Sequence, residues 1–484
     1  MTKLKKLAEL FDSHRPALAK FFEGKLYPFL VALFVLLGHV TALELFFGIA
    51  VLLAAALALF VCDTVKPFLP TLLTFVCIVN LKHTPGVPNW SDYYTRLYVL
   101  IPVGICFAIL IAAAIYFTVK HIAPDFSYKS APLFIPISVL SFAFLLNGAF
   151  SPGWKFASLV FGIAEVAVFF LLFYFIYYGI KKEDPNELFD YVCYLGLLVA
   201  MVLVGEMVFL FLTNDRLIVN GSIVKEEVLF GWAACNPMGF SLAVIIPLLM
   251  RGAMTDKKLR FIYLFAALVT WGSAVLTMSR NALIFATLGL GLSFVIGAFF
   301  GPKDGRNIFR AVLILGVAVA ALGTVVFWDK ISSLLADFLS RGFSDNGRFT
   351  LWKNSWDNFL KSPVFGRGFF DWGEMDVYES ATFVPTMSHN TLFQLLSSMG
   401  TVGTLAYGYY RAMTLAPFIK KFSFDKAMLA LPILLTLGAS LLDNFIFYFY
   451  TAFLYIILLA IAFRMKKNED KDAPVSQNSS AEQK

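Results

Sequence analysis

Residues 98–120 read YVLIPVGICFAILIAAAIYFTVK, an apolar run whose single charged residue is Lys120, at its end. A helix needs about 20 mostly apolar residues to cross the hydrocarbon core of a bilayer, and this run meets that requirement. Working outward from it, we find about fourteen such segments. They lie at roughly 27–42, 43–62, 67–82, 98–120, 131–149, 156–180, 190–212, 233–250, 260–278, 281–300, 310–328, 390–412, 428–443 and 446–464. The segments predict an all-α polytopic integral membrane protein with about 12–14 transmembrane helices.

The composition excludes an ordinary soluble protein. Of the 484 residues, 59% are apolar and 15% are charged, against roughly 45–50% and about 25% in soluble domains. The net charge of +7 is read as basic loops on one side of a membrane and not as a nucleic-acid surface. The five cysteines lie in or beside apolar segments without a CxxC pair, which predicts free thiols.

Lysine and arginine in the short connections predict the orientation. The following basic residues all fall on one side if both termini are cytoplasmic: Lys181, Lys182, Arg251, Lys257, Lys258, Arg260, Lys303, Arg306, Arg310, Lys420, Lys421, Lys426, Lys466 and Lys467. The connections on the other side are short and poor in lysine and arginine, except for one long loop. The chain then divides into a cytoplasmic N-terminal segment (1–26), an N-terminal transmembrane bundle (27–328), a long extracytoplasmic loop (329–389), C-terminal transmembrane helices (390–464) and a polar, disordered cytoplasmic tail (465–484).

The long loop contains one segment with a helical pattern, RFTLWKNSWDNFLK at 348–361. Its large apolar residues fall on one stripe of a helix, namely Phe349, Trp352, Trp356, Phe359 and Leu360. Two tryptophans on such a stripe suit a helix lying in the membrane interface. A packing helix of a small loop domain is the alternative.

His389 is the histidine placed where the long loop re-enters the membrane as a helix, in SHNTLFQLLSSMGTVG (388–403). Ser388 is a candidate N-cap, which would put His389 in the first turn, where the helix dipole disfavours imidazolium and leaves a proton acceptor. Gly400 and Gly403 return to roughly the same helix face and would let another helix approach. The alternative is a histidine that simply hydrogen-bonds a loop carbonyl.

Cationic residues also cluster on the predicted extracytoplasmic side, where His389 lies. Arg280 lies in a tight turn at the membrane boundary, where an arginine either snorkels to head groups or binds an anion. Further cations are Arg341, Arg348 and Arg367 in the long loop, and Arg216 and Lys225 in the connection before residue 233. Guanidinium groups suit phosphate, so the set suggests a diphosphate substrate. Salt bridges within the loop, to Asp345, Glu374, Asp376 and Glu379, are the alternative.

These motifs together resemble the O-antigen ligase/polymerase family of bacterial envelope glycan enzymes. The matching pieces are SRN (279–281), RG and DNGRFTLW within 341–352, PVFGRG (363–368), FGWAACNPMGF (230–240), and His389-Asn390 followed by nine residues and GTVG. The His-Asn-x9-Gly-x-x-Gly spacing is the most specific of these. The chain departs from the family at VKEEVLFGW (224–232), where the family often has an arginine, and Lys225 or Arg216 would substitute.

The resemblance implies a C-type membrane glycosyltransferase fold and a reaction without nucleotide sugar, metal or other cofactor. A glycan would pass, with inversion, from a polyprenyl diphosphate carrier to an acceptor on the outer face of the bacterial cytoplasmic membrane. His389 would be the base and Arg280 would stabilise the leaving group. Arg348, Arg216, Lys225 and Asn390 would contact substrate. The partners would be the lipid-linked donor, the acceptor and the bilayer, with no nucleic acid.

Two questions stay open from the sequence. Ligase and polymerase share these motifs, so the acceptor is a lipid A core, a second carrier-linked repeat, or a wall or protein group. The competing class of protein is a transporter or flippase of lipid-linked glycan, for which Glu165 and Glu206 inside spans would be coupling sites. The lack of visible repeat halves speaks against it.

Overall fold

The computed structural model describes residues 2–80, 96–152, 154–329, 332, 347–370, 388–419 and 422–472. Helices joined by turns and loops make up most of this part, and its one sheet is a small antiparallel pair, β1 (Ile218–Val219) and β2 (Ser222–Ile223). The α-helices, numbered in chain order, are α1 (Thr2–Glu23), α2 (Leu26–Thr41), α3 (Glu44–Val61), α4 (Leu69–Thr74), α5 (Leu97–Phe117), α6 (Phe134–Phe150), α7 (Phe156–Val166), α8 (Phe173–Gly179), α9 (Pro185–Thr213), α10 (Cys235–Thr255), α11 (Arg260–Leu276), α12 (Arg280–Phe300), α13 (Lys303–Val326), α14 (Arg348–Lys361), α15 (Thr391–Thr414), α16 (Ala416–Ile419), α17 (Phe424–Ala439) and α18 (Phe449–Asp472).

Short stretches of tighter or wider helix extend or connect these elements. Those with 3₁₀ geometry are Lys66–Phe68, Phe75–Ile78, Ala123–Asp125, Lys225–Glu227 and Phe445–Phe447, and those with π geometry are Thr118–Ile122 and Ala167–Leu172. The predicted all-α polytopic membrane class is confirmed. The predicted free thiols are confirmed as well, because all five cysteines are unpaired.

Eight helices in the described ranges are long and apolar enough to cross a membrane, or nine if the pair Ser13–Glu23 and Leu26–Thr41, bent by 67°, forms one span. This number is below the 12–14 predicted. The remaining predicted segments are helical but short or interrupted. The segment at 67–82 is broken into helical turns around Pro67 and Pro70, and α15 is broken at Gly400. The last helix continues to Asp472, past the predicted boundary at 464, because the Lys and Glu residues that follow favour helix.

Helix α10 forms the centre of the bundle. Its span is 94% buried inside the protein, and it packs against α9, α11, α12 and α17. A helix that is apolar on all sides is stabilised by neighbours on all sides. Since α10 begins at Cys235 and ends at Thr255, it connects the two ends of the bundle.

A buried ionic cluster marks one end, which we call the Arg251 end. Arg251 is only 2% exposed and its Nε donates to Asp425 Oδ1 at 2.9 Å, while Nη1 donates to Asp190 Oδ1. The two carboxylates lie on α17 and α9, so the cluster joins three helices. A buried charge is tolerated only when it is paired in this way. The other end, which contains His389, is called the His389 end.

Candidate functional site

The centre of the candidate site is a histidine–aspartate pair. His389 Nδ1 lies 3.0 Å from Asp443 Oδ1, and the two residues are 54 positions apart in the chain. The imidazole is 33% exposed, whereas the carboxylate is only 1% exposed. A carboxylate at Nδ1 fixes the tautomer with the proton on Nδ1 and leaves Nε2 as the acceptor. The arrangement is therefore that of an oriented base at an accessible surface.

The backbone around His389 is held by the turn that follows α17. Thr391 N donates to Ser440 O at 2.9 Å and Asn390 Nδ2 donates to Leu441 O at 2.7 Å. Gln394 Oε1 accepts from Ser388 N at 2.9 Å and from Asn444 Nδ2 at 3.1 Å. These bonds join the residues on either side of His389 to those on either side of Asp443, which keeps the pair in register.

The predicted N-cap is wrong. Asn390, not Ser388, caps α15, because its side chain accepts from the backbone N–H groups of Leu392 and Phe393. His389 therefore precedes the helix and adopts a left-handed backbone with φ 46°. Because His389 lies before the helix and its Nδ1 faces a carboxylate, the predicted effect of the helix dipole on this imidazole does not apply. The oxygen and the nitrogen of the Asn390 amide both make hydrogen bonds within the protein. A contact of Asn390 with substrate stays a prediction.

Helix α14 lies against the His389 segment. Trp352 Nε1 donates to Ser388 O at 2.9 Å, and the Trp352 ring stacks on Phe393 at 5.4 Å. The hydroxyls of Ser355 and Ser388 are 2.7 Å apart. Arg348 is the first residue of α14, one turn before Trp352. The contacts thus bring the predicted cation Arg348 to the His389 end.

The apolar stripe predicted for this helix is only partly buried. Ser355 and Asn358 are buried against the protein, while Phe349, Trp356 and Leu360 are 63%, 44% and 60% exposed. The helix therefore has a packing face and, beside it, an exposed apolar strip. The exposed strip suits the predicted location of this helix in the membrane interface. The buried face suits the alternative prediction, a helix that packs against the rest of the protein.

Arg280 begins α12 at the same end of the bundle. Ser279 caps this helix through a bond from Ala282 N, and Met278 before it has φ 57°. The adjacent Asn281 donates through Nδ2 to Ala439 O at 3.5 Å. Ala439 ends α17, directly before the turn that contains Asp443. Two helix ends joined in this way place the exposed Arg280 on the His389 end.

The remaining predicted cations differ in their positions. Arg216 is exposed in the loop before β1, where its N–H bonds Asn214 Oδ1 at 3.1 Å. Lys225 is half-buried, and Cys235 is within electrostatic range of both Lys225 and Asp443. That Lys225 or Arg216 substitutes for the arginine of the family stays a prediction. Arg341 and the carboxylates predicted to pair with the loop arginines, Asp345, Glu374, Asp376 and Glu379, lie outside the described residues.

Gly400 breaks α15 with φ 62° and ψ −162°. The segment 363–368 fills the break: Thr401 N donates to Pro363 O at 2.8 Å and Gly368 N to Ser398 O at 2.9 Å. A Cβ on Gly400 would lie 2.5 Å from Val364 O and 2.6 Å from Gly366 N. The close approach predicted at the glycine pair is real at Gly400, but the partner is the backbone of a turn and not another helix.

We expect Gly400→Ala to lower the thermal unfolding midpoint of the detergent-solubilised protein. The left-handed conformation alone costs an alanine about 1–3 kcal/mol, and the backbone contacts add a steric clash. Gly408→Ala is the matched control, because Gly408 lies on the same helix with nothing within 4 Å of an added Cβ. Equal midpoints for the two variants would contradict the proposed need for glycine at 400.

Asp443 is the functional candidate that sequence reasoning missed. It lies in LLDNFIFY (441–448), at the end of an apolar segment. An acidic residue at such a position is a recognised signal of function, but nothing in the sequence connects it with His389. Within the described ranges, no group of three or more His, Cys, Asp or Glu side chains is arranged to hold a metal ion.

The chain is similar to one known family of proteins over part of its length. The sequence profile described as O-antigen ligase matches residues 264–408, which include Arg280, Arg348, His389 and Gly400. No curated protein matches the chain significantly. The matched segment ends before Asp443, so the structure adds the histidine's partner to it. The predicted O-antigen ligase/polymerase family is thereby supported: residues 264–408 of this multi-pass membrane protein are similar to the O-antigen ligase domain.

Proposed function

We propose that the protein transfers or polymerises glycan from a polyprenyl diphosphate carrier, with inversion, on the outer face of the bacterial cytoplasmic membrane. The observation that carries the proposal is the His389–Asp443 pair at 3.0 Å, on the end of the bundle that also holds Arg280 and Arg348. A base and a set of cations are the two requirements of this reaction.

In the proposed step, an acceptor hydroxyl attacks the anomeric carbon of the donor sugar. Its proton passes to His389 Nε2, the new glycosidic C–O bond forms, and the bond from the anomeric carbon to the carrier phosphate breaks. The electron pair of that bond leaves with the diphosphate, whose charge Arg280 stabilises together with Arg348 and Lys225. Asp443 stabilises the imidazolium that forms. Backside attack with a single displacement gives inversion.

The orientation follows from the basic residues of the Arg251 end. Arg251, Lys257, Lys258 and Arg260 all lie there, and such clusters favour the cytoplasmic side. The His389 end then faces outward, where a lipid-linked glycan arrives after it has been flipped. The acceptor stays open between a lipid A core, a second carrier-linked repeat, and a wall or protein group.

The direct test is reconstitution of the purified protein in liposomes with a polyprenyl-diphosphate-linked glycan and candidate acceptors. We expect release of the carrier diphosphate and a product of inverted anomeric configuration, detected by NMR. Movement of the intact lipid-linked glycan across the bilayer without any transfer would contradict the proposal and support the transporter class instead.

Arg280→Lys is expected to lower transfer about tenfold although the charge is kept. A guanidinium can bind a diphosphate through two parallel hydrogen bonds, and an ammonium group cannot reproduce that geometry. The measurement is kcat/KM for the donor at equal membrane levels. Arg310→Lys, where Arg310 Nε bonds Ala298 O near the far end of α12, is the control. Full activity of Arg280→Lys would indicate that Arg280 only contacts lipid head groups and does not bind the diphosphate.

Addition of EDTA is expected to leave turnover unchanged. In the proposed step the charge of the leaving diphosphate is met by arginine and lysine side chains, so no divalent ion is required. The measurement is initial rate before and after chelation, with magnesium, manganese and calcium added back separately. Loss of activity that an added ion restores would overturn this part of the mechanism.

A further inference from the structure

A second polar cluster is buried near the candidate site and has no part in the proposed step. Glu206, on α9, is 0% exposed, and its Oε2 accepts a hydrogen bond from Trp232 Nε1 at 2.8 Å. Its other oxygen lies 3.8 Å from His39 Nδ1, and that nitrogen lies 3.0 Å from Cys77 O. Among the residues that the structure describes, the carboxyl group therefore has one close hydrogen-bond partner, the indole of Trp232.

A carboxyl group inside an apolar helix is costly and persists where it serves a purpose. The sequence suggested ion coupling as that purpose. The structure instead connects Glu206 to a loop, because Trp232 lies outside the helices, between the 3₁₀ turn Lys225–Glu227 and α10. A bond from a rigid helix to a loop is suited to holding that loop in place.

The loop is a tight turn with Trp232 near its tip. Leu229 pairs with Ala234, Phe230 N donates to Ala233 O at 2.8 Å, and Gly231 has φ 72°. So short a turn connects Lys225 on one side with the first residue of α10 on the other. A bond that fixes its tip consequently restricts both flanking segments.

One flanking segment, the start of α10, contacts the candidate site. Cys235, which begins α10, is within electrostatic range of Lys225 and of Asp443. Farther along α10, Phe240 stacks on Phe445 with ring centroids 4.3 Å apart. Phe445 follows Asp443 by two residues, so the start of α10 packs directly on the turn that carries the partner of His389.

We propose that Glu206 is a positioning residue. Its carboxyl group holds Trp232, and through the turn 229–234 this bond sets the positions of Lys225 and of the start of α10 beside Asp443. The positioning is a property of the fold. Only the expected effect on binding of the lipid-linked donor, which would act through Lys225, rests on the proposed function.

The chain contains its own reporter for this proposal. Of its five cysteines, Cys62, Cys77, Cys106 and Cys193 are buried and Cys235 is half-buried, so a maleimide should label Cys235 fastest in the folded protein. We expect Glu206→Leu and Trp232→Phe each to speed labelling of the purified full-length protein roughly tenfold, since each removes the hydrogen bond that restrains the turn. Glu206→Gln should label at the wild-type rate, because its amide oxygen still accepts from the indole.

The double variant should label no faster than either single variant if the two side chains act through one bond. Cys235→Ser should remove the fast phase and so verifies the assignment. Wild-type labelling rates in both Glu206→Leu and Trp232→Phe would overturn the proposal. Fast labelling of Glu206→Gln would also overturn it, because the amide keeps the acceptor for the indole and the hydrogen bond would then not be what restrains the turn.

Transfer assays then separate this inference from the proposed function. We expect the KM for the lipid-linked donor to rise about tenfold in Glu206→Leu, with a smaller change in kcat, and to be unchanged in Glu206→Gln. Faster labelling without a change in KM would keep the positioning role and reject the contact of Lys225 with the donor.

Discussion

Replacing His389 with alanine is expected to lower the rate of glycan transfer by roughly 10²–10⁴, the usual contribution of a general base. Binding of the lipid-linked donor should persist, because Arg280 and Arg348 lie on other elements and the mutation leaves them in place. The measurement is single-turnover transfer by purified protein in liposomes, with donor binding assayed in parallel.

A second variant separates chemistry from backbone effects at this position. His389 has φ 46°, a conformation that asparagine tolerates better than most residues. His389→Asn should therefore fold at least as well as His389→Ala and show the same loss of transfer. Transfer within a fewfold of wild type in both variants would exclude base catalysis by His389. Loss of binding together with transfer would indicate a structural role.

Replacing Asp443 with asparagine is expected to lower kcat roughly 10²-fold with little change in KM. The amide has nearly the shape of the carboxylate, but it can donate to Nδ1 and so stabilise the tautomer in which Nε2 carries the proton. It also cannot stabilise the imidazolium formed during the proposed transfer. The measurement is the full kinetic profile at equal amounts of monodisperse protein.

Asp357→Asn is the matched control for this variant. Asp357 is an exposed carboxylate on α14, the helix that lies against the His389 segment, and its loss should leave both kinetic constants unchanged. A wild-type kcat for Asp443→Asn would show that the histidine does not need an ionised partner. A change confined to KM would assign Asp443 to substrate binding.

Most of the helical architecture was predictable because it follows from local composition. Apolar segments of sufficient length define where helices form, and the fourteen predicted segments all fall on helical parts of the chain. The number of membrane-spanning helices is harder to predict from the sequence, because proline, glycine and small differences in length decide whether a helix crosses the membrane. These depend on neighbouring helices as much as on the segment itself.

The site was predictable only in its local parts. His389, Arg280 and the glycine at 400 were visible as motifs, whereas the partner of His389 is 54 positions away and depends on how α17 ends. Ser388 and Asn390, two residues apart, are both good N-cap residue types, and the tertiary hydrogen bonds of the folded protein decide between them. Ser388 instead contacts Ser355, a pairing between α14 and the segment before α15 that neither segment encodes alone.

The break in α15 at Gly400 has a consequence for the order of assembly during synthesis. The carbonyl of Ser398 and the N–H of Thr401 have lost their helical partners and bond the segment 363–368 instead. That segment precedes α15 in the chain, so it leaves the ribosome first and is already available when the helix emerges. Since water does not replace such partners inside a membrane, we expect α15 to complete these backbone bonds only once the upstream segment has docked against it.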